Sequence, residues 1–356
     1  MKKVFFLLIM FAFFIEASSC NNLQGEKHNE MKVSSTAETK IQTKDSPFDI
    51  ENGVLKKYHW QKCEETENEK TISLTIPPEV KVIGKRAFKI AKKDYSKNFI
   101  PICLKIPKDV VLKPYAFEAI GPADITFEEG RTVIEEKAFY ECGLYKNEIS
   151  VTLPKSLYKL EESAFNQEFF EKTFTLKLNS GLREVGDYAL CATSCDLPDS
   201  IQVLGESALW YWRPQNGFVL PKELKEIGDT CFWINSGCEP KKPIKIPAGV
   251  KKIGENIIQY ETLPLPVYGV QVAKGNRYFK SDKNGWLYSK DGSILYYAYC
   301  TEKKMVIPQN VKEIRCQLQL GDHVERWQKV IFPNEQLKKQ YNKKYDLGEL
   351  GTGEEL

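Results

Sequence analysis

Over short stretches of the chain apolar residues recur at every second position, as in Ile72, Leu74 and Ile76 or Phe174, Leu176 and Leu178. This period of two describes a strand with one buried face. Proline follows many of these stretches and ends the strand, because it has no N–H to give to a ladder. The next apolar pair, such as Val80 and Ile83 or Leu224 and Ile227, then turns back into the core. Gly84, Gly186, Gly205, Gly228 and Gly254 follow such pairs and are expected to supply positive φ. An Ala-Phe pair begins a short helical or irregular return, with Ala permitting close approach and Phe filling the interior.

The pattern is a thirteen-residue phrase, seen first from Ile76-Pro77 to Ala87-Phe88, that occurs eight times. Its anchors recur at Ile106-Pro107 with Ala116-Phe117, Phe127 with Ala138-Phe139, Leu153-Pro154 with Ala164-Phe165, and Leu178 with Ala189-Leu190. Leu197-Pro198 with Ala208-Leu209, Leu220-Pro221 with Cys231-Phe232, and Ile246-Pro247 with Ile257-Ile258 complete the set, and a shortened copy runs from Ile307 to Ile314. Starts about 20 to 30 residues apart are the spacing of a solenoid coil. A single coil buries five or six side chains at roughly 1.5 to 3 kcal/mol each. That does not offset about 1 to 2 kcal/mol of backbone entropy for each of some two dozen residues, so the coils must stack. The expected fold is a strand-rich α/β repeat solenoid.

These residues resemble the BspA-type leucine-rich repeats of bacterial cell-surface proteins, whose units read approximately I-P-x-x-V-x-x-I-G-x-x-A-F. The resemblance covers roughly residues 71–345. Asn276 to Phe279 and Gly285 to Gly292 are similar to the family's hairpin insertion, and Ile331-Phe332-Pro333 with Leu337 and Tyr341 to its terminal segment. Glu135 and Glu161 stand in place of the glycine, and Lys113-Pro114 fills that turn in a copy one residue short. Those coils are expected to be less regular. The resemblance implies a leucine-rich-repeat-like stack and an adhesin role, with host matrix, host-cell or other bacterial surface proteins as partners.

Lys2 and Lys3 precede an apolar run from Val4 to Ile15 and then Ala17-Ser18-Ser19-Cys20. The run is short for a bilayer span and reads as a signal peptide over 1–19. Cys20 resembles a bacterial lipoprotein attachment site, although Ala17 stands where leucine is usual; ordinary cleavage after Ser19 would leave Cys20 a plain thiol. With lipid at Cys20 the protein would be membrane-anchored, on an outer membrane facing the cell surface. Polar residues over 20–49 read as a tether, with a span of roughly 30 Å by random-coil scaling. The remaining division is an N-terminal cap at 50–70, the solenoid at 71–320 with a hairpin insertion about 272–300, a C-terminal cap at 321–346, and a disordered tail at 347–356.

The net charge of +3, with Lys and Glu interspersed, gives no basic footprint for nucleic acid. Ten cysteines raise the question of metal or disulfides. Cys191 and Cys195 have no second pair or histidine at zinc-site spacing, and Cys142 and Cys191 fall where the repeat buries a small apolar residue. Cys231 with Cys238 is an isolated disulfide candidate. The only histidines are His28, His59 and His323, so none lies in the central coils to serve as a general base. No metal, cofactor or catalytic residue is assigned. The turns Asp282 to Gly285 and Asp291-Gly292 lack the other ligands of a calcium loop and read as hairpin turns.

Two surfaces remain as binding candidates. Thr75, Lys105, Thr126, Thr152, Lys177, Asp196, Val219 and Lys245 alternate outward from the strands, and stacking would line them into one polar ladder for a protein partner. Trp210, Tyr211 and Trp212 could instead form a platform that stacks on sugars, which makes a glycan-binding envelope protein the alternative function; an undetected hydrolase is a third. A monomer is expected.

Overall fold

The computed structural model describes residues 46–61, 71–95, 97–143, 149–167, 174–234, 240–260, 269–300, 302, 304–320 and 329–345. The leader, Cys20 and most of the tether lie outside them, as do His28, His323, Cys238 and the tail.

The described chain winds as a stack of coils with two main parallel sheets. In the front sheet, Ile72–Thr75, Ile102–Ile106, Ala123–Phe127 and Ile149–Thr152 pair in that order. The back sheet uses two-residue strands. Six of them, Val133–Ile134, Lys159–Leu160, Glu184–Val185, Val203–Leu204, Glu226–Ile227 and Lys252–Ile253, form one uninterrupted parallel ladder. At the N-terminal end a hairpin, Phe48–Glu51 with Val54–Tyr58, pairs through its second strand with Val82–Ile83, which continues to Val111–Leu112. Leu55 and Tyr58 thereby cover the first coil.

None of the described returns after the Ala-Phe pairs is an α-helix: the early ones are irregular, and those at Leu209–Trp210, Phe232–Ile234 and Ile258–Tyr260 are short strands paired in parallel. Helix among the described residues is confined to a 3-10 turn at Lys92–Asp94 and to Glu335–Tyr345, which buries Leu337 and Tyr341 over the last coils. Between the sheets runs a column of rings: Phe88 on Phe117 at 5.1 Å, Phe117 on Phe139 at 4.5 Å, and Phe139 on Phe165 at 4.9 Å between centroids, all stacked and fully buried. Such stacks add roughly 0.5 to 1.5 kcal/mol per pair beyond burial.

The glycines act differently from expectation. None of Gly84, Gly186, Gly205, Gly228 or Gly254 has positive φ. They are small because the neighbouring coil's backbone touches them: a Cβ on Gly228 would lie 2.5 Å from Glu206 N and Gly205 O. Positive φ falls two residues later, on Arg86, Ser163, Tyr188, Ser207, Thr230 and Asn256 and their equivalents Tyr115 and Lys137. A left-handed non-glycine residue costs about 1 to 2 kcal/mol. Each of these residues offsets that cost by aiming its N–H at the following coil: Arg86 to Tyr115 O at 3.0 Å, Ser163 to Asp187 O at 2.7 Å, Tyr188 to Glu206 O at 2.9 Å, and Asn256 to Arg315 O at 2.9 Å across the hairpin insertion.

Glu161 does not disturb its coil, since the six-stranded ladder passes through it. The coils of Lys113 and Glu135 are the irregular ones, as expected: the back sheet breaks between them, from Val111–Leu112 to Val133–Ile134. There Arg131, almost wholly buried, donates from Nη1 to Val110 O at 2.8 Å and Pro107 O at 3.3 Å, and from Nη2 to both oxygens of Glu135 at 2.6 Å. Glu135 in turn accepts from Leu112 N at 3.2 Å, so a side-chain ion pair replaces the ladder. Elsewhere Asn179 and Asn276 hold the preceding coil's carbonyls, at Leu157 and Val250, in the same manner.

The hairpin insertion consists of Phe279–Ser281, Leu287–Ser289 and Ile294–Tyr297, antiparallel in sequence, and its last strand rejoins the stack by pairing parallel with Glu313–Ile314.

Candidate functional site

Five of the eight predicted outward positions come together. Thr75, Lys105, Thr126 and Thr152 are direct ladder partners on the front sheet, and an isolated bridge adds Lys177. Coils about 4.8 Å apart place Lys105 and Lys177 roughly 14 Å from one another on one column. Both are exposed, and neither makes an ion pair with a described residue.

The other three depart from a single ladder. Asp196 lies outside any strand, half-buried, and accepts from Gln215 N at 3.0 Å and Asn216 N at 2.9 Å, which makes it a loop cap. Val219 is 64% exposed but belongs to no strand, since the loop from Arg213 displaces its coil. Lys245 is exposed on a separate two-stranded sheet, paired with Gln271.

The structure adds a second outward column beside the first: Ser73, Cys103, Asp124 and Ser150 in register, then exposed Thr175, whose partner Ser194 is buried and ends the column. The same period of two that marked Thr75 would have found its first members. The Cys103 thiol is exposed, and partial burial together with the Asp124 carboxylate pushes its pKa up, so it is a weak nucleophile.

The aromatic trio is split, which removes the platform expected of it. Trp212 is 3% exposed, donates to Cys195 O at 2.7 Å, and packs edge-on against Phe218 inside the core. Tyr211 is buried too. Trp210 stays half-exposed, but its ring lies parallel to that of Trp233 at 4.8 Å, with Tyr188 stacked at 6.1 Å. Rings engaged in this way have little free face for a sugar.

Cys142, Cys195, Cys231 and Cys316 are buried free thiols; desolvation pushes Cys142, Cys195 and Cys316 up to about 12. Cys238, the candidate partner of Cys231, lies outside the described residues. Among the described residues no group of three or more His, Cys, Asp or Glu side chains is arranged for a metal.

Residues 95–194 and 145–264 match the BspA type leucine rich repeat region, in six copies. Over residues 95–264 this array matches a BspA-type leucine-rich repeat. The matched stretches begin in the second coil and end in the eighth, so the ladder, the ring column and the front face of this BspA-type array all fall largely within them. Among solved structures the chain is similar to a leucine-rich repeat protein from Eubacterium ventriosum, at 21% identity and TM-score 0.35 over 57% of this chain and 48% of that one. It is also similar to a leucine rich cell surface protein from Faecalibacterium prausnitzii, at 19% identity and TM-score 0.37 over 72% and 60%. A third likeness is to a leucine-rich repeat protein from Bacteroides ovatus, at 17% identity and TM-score 0.36 over 80% and 76%. The chain thus spans about half to three-fifths of the first two. No curated protein matches it.

Proposed function

We propose that this BspA-type array is an exported surface protein that works by binding, an adhesin for host-matrix, host-cell or other bacterial surface proteins, tethered to the membrane through lipid at Cys20. The observation that carries the reading is the front column from Thr75 to Lys177. On the back sheet lysines are matched within the molecule: Lys159 with Glu184 at 3.9 Å, Lys251 and Lys252 with Glu226 at 3.5 and 3.7 Å. On the front, Lys105 and Lys177 stand unmatched among threonine hydroxyls, on a rigid sheet with a wide polar face. Unmatched charge of this kind serves partner choice and association rate more than stability.

The test is binding of the purified chain to immobilised matrix proteins and to whole cells, with Lys105→Ala/Lys177→Ala compared with Lys251→Ala/Lys252→Ala. The front variant should bind more weakly and lose most of its salt dependence. Equal loss in both variants would move the site off the front sheet. Protease treatment of intact cells, with lysed cells as control, addresses location: protection until lysis would reject a surface adhesin.

A further inference from the structure

One edge of the back sheet separates its charges along the array. The position after the glycine, or after the residue that replaces it, is Glu136, Glu162, Asp187, Glu206, Asp229 and Glu255 in six successive coils. In the first coil that position is Lys85; in the second it is Pro114, and the charge sits one residue earlier on Lys113, which takes the glycine's place in register with Gly84. Part of the acidic column is neutralised internally, by Lys137 between Glu136 and Glu162 at 2.6 and 2.8 Å and by Lys344 on Glu255 at 2.8 Å. Asp187, Glu206 and Asp229 have no cation among the described residues, and Lys85 and Lys113 have no anion. Beside these lysines lies a shallow groove floored by Val54 and Val82 and rimmed by Lys56, Lys85 and Lys113, with Val111, 44% exposed, next in the ladder.

We infer that this edge is a self-association surface on which two copies of the chain pair antiparallel about a two-fold axis. In that arrangement Lys85 and Lys113 of each copy face Glu206 and Asp229 of the other, and the contact is made twice. The axis falls at Glu162, already paired with Lys137 at 2.8 Å, so that Lys113 meets Glu206 and Lys85 meets Asp229. The valine groove receives the side chains around the partner's acidic column, which covers apolar surface the single chain leaves open. A copy of the same chain fits better than an anionic lipid surface, because the acids on the same edge would be repelled by it. The inference departs from the monomer expected of the sequence and does not depend on the identity of any front-face ligand.

Sedimentation velocity of the full chain in detergent tests it, with two single charge reversals. Lys113 makes no side-chain contact that the fold needs, and Glu206 offers its carboxylate only to the Tyr188 hydroxyl at 3.5 Å. The parent should form dimers that weaken in high salt. Lys113→Glu alone and Glu206→Lys alone should each weaken dimerisation by about 10-fold or more. Mixing the two variants should restore it, since the reversed charges then meet. A monomer at every concentration up to about 100 µM, the range of a weak contact, would overturn the inference. So would a dimer that both reversals leave intact, a mixture that fails to re-form, or a mass that grows beyond two copies.

Discussion

Replacing Gly228 with alanine examines the claim that the glycine column exists for close backbone approach. The added Cβ would sit 2.5 Å from Glu206 N and Gly205 O, and both are backbone atoms of the adjacent coil. Neither can rotate away, so the two coils must separate by several tenths of an ångström. The neighbouring ladder bond from Gly228 N to Leu204 O, 2.8 Å long, then stretches as well. Overpacking of this sort costs about 1 to 3 kcal/mol, and a contact made only with backbone belongs at the upper end. For an array of roughly 300 residues, at about 2.1 cal/mol/K of unfolding entropy per residue, about 3 kcal/mol lowers Tm by roughly 4 to 5 °C. Gly249→Ala is the control, because its nearest neighbour is a single carbonyl, Leu224 O, at 3.2 Å and its φ is not positive; it should cost under about 1 kcal/mol. Urea and thermal unfolding followed by circular dichroism would measure both. A Gly228→Ala protein within about 0.5 kcal/mol of the parent, or equal damage from Gly249→Ala, would refute the reasoning.

Removing Arg131 with alanine leaves Glu135 and the carbonyls of Pro107 and Val110 without their donor, and should cost about 3 to 5 kcal/mol in urea unfolding. Glu118 is buried, which alone would raise its pKa, but hydrogen bonds from Arg86 and Lys89 outweigh this and hold it below the ordinary value. Its stabilisation is therefore present above the unfolded carboxylate pKa of about 4.3 and fades as pH falls through the lower folded value. Glu118→Gln should accordingly lower stability at pH 7 and flatten the acid limb of a stability–pH curve. Phe139→Ala, in the middle of the ring column, should cost about 3 to 5 kcal/mol by the same measurement. Iodoacetamide at pH 8 should label Cys103 in the folded protein and spare Cys142, Cys195 and Cys316, whose thiols burial holds at about 12; mass spectrometry of the labelled peptides reads the result.

The architecture was legible because the anchors Ile76, Val80, Ile83, Ala87 and Phe88 and their counterparts are apolar for one reason each, burial, and burial leaves a periodic trace. The glycine was misread because one residue type answers two demands, left-handed φ and absence of a side chain, and a linear sequence does not separate them. Left-handed φ fell on Tyr115, Tyr188 and Thr230, residues whose types give no turn signal, because the N–H bond to the next coil fixes them from outside. The front column was legible as far as Lys177, where strands persist. It was lost at Asp196 and Val219 because loop hydrogen bonds, invisible to a period of two, displace those coils. The Trp trio failed for a related reason: Trp210 and Trp212 are two apart but flank a left-handed Tyr211, so the chain bends between them and sends one ring inward.

Beyond the N-terminal hairpin, the N–H bonds of the left-handed residues run in one direction along the chain, from each coil to the one made after it. A chain synthesised from its N-terminus therefore always presents, at its growing end, a coil whose turn has a donor and no acceptor. Completion of any coil waits on the arrival of its successor, and the wait is longest at Asn256, whose acceptor Arg315 is separated from it by the whole hairpin insertion. Loop closure over that length adds only about 0.8 kcal/mol relative to an ordinary coil. The delay is thus one of time rather than free energy, and during it the eighth coil is the part of the molecule most open to proteolysis or to pairing with another chain.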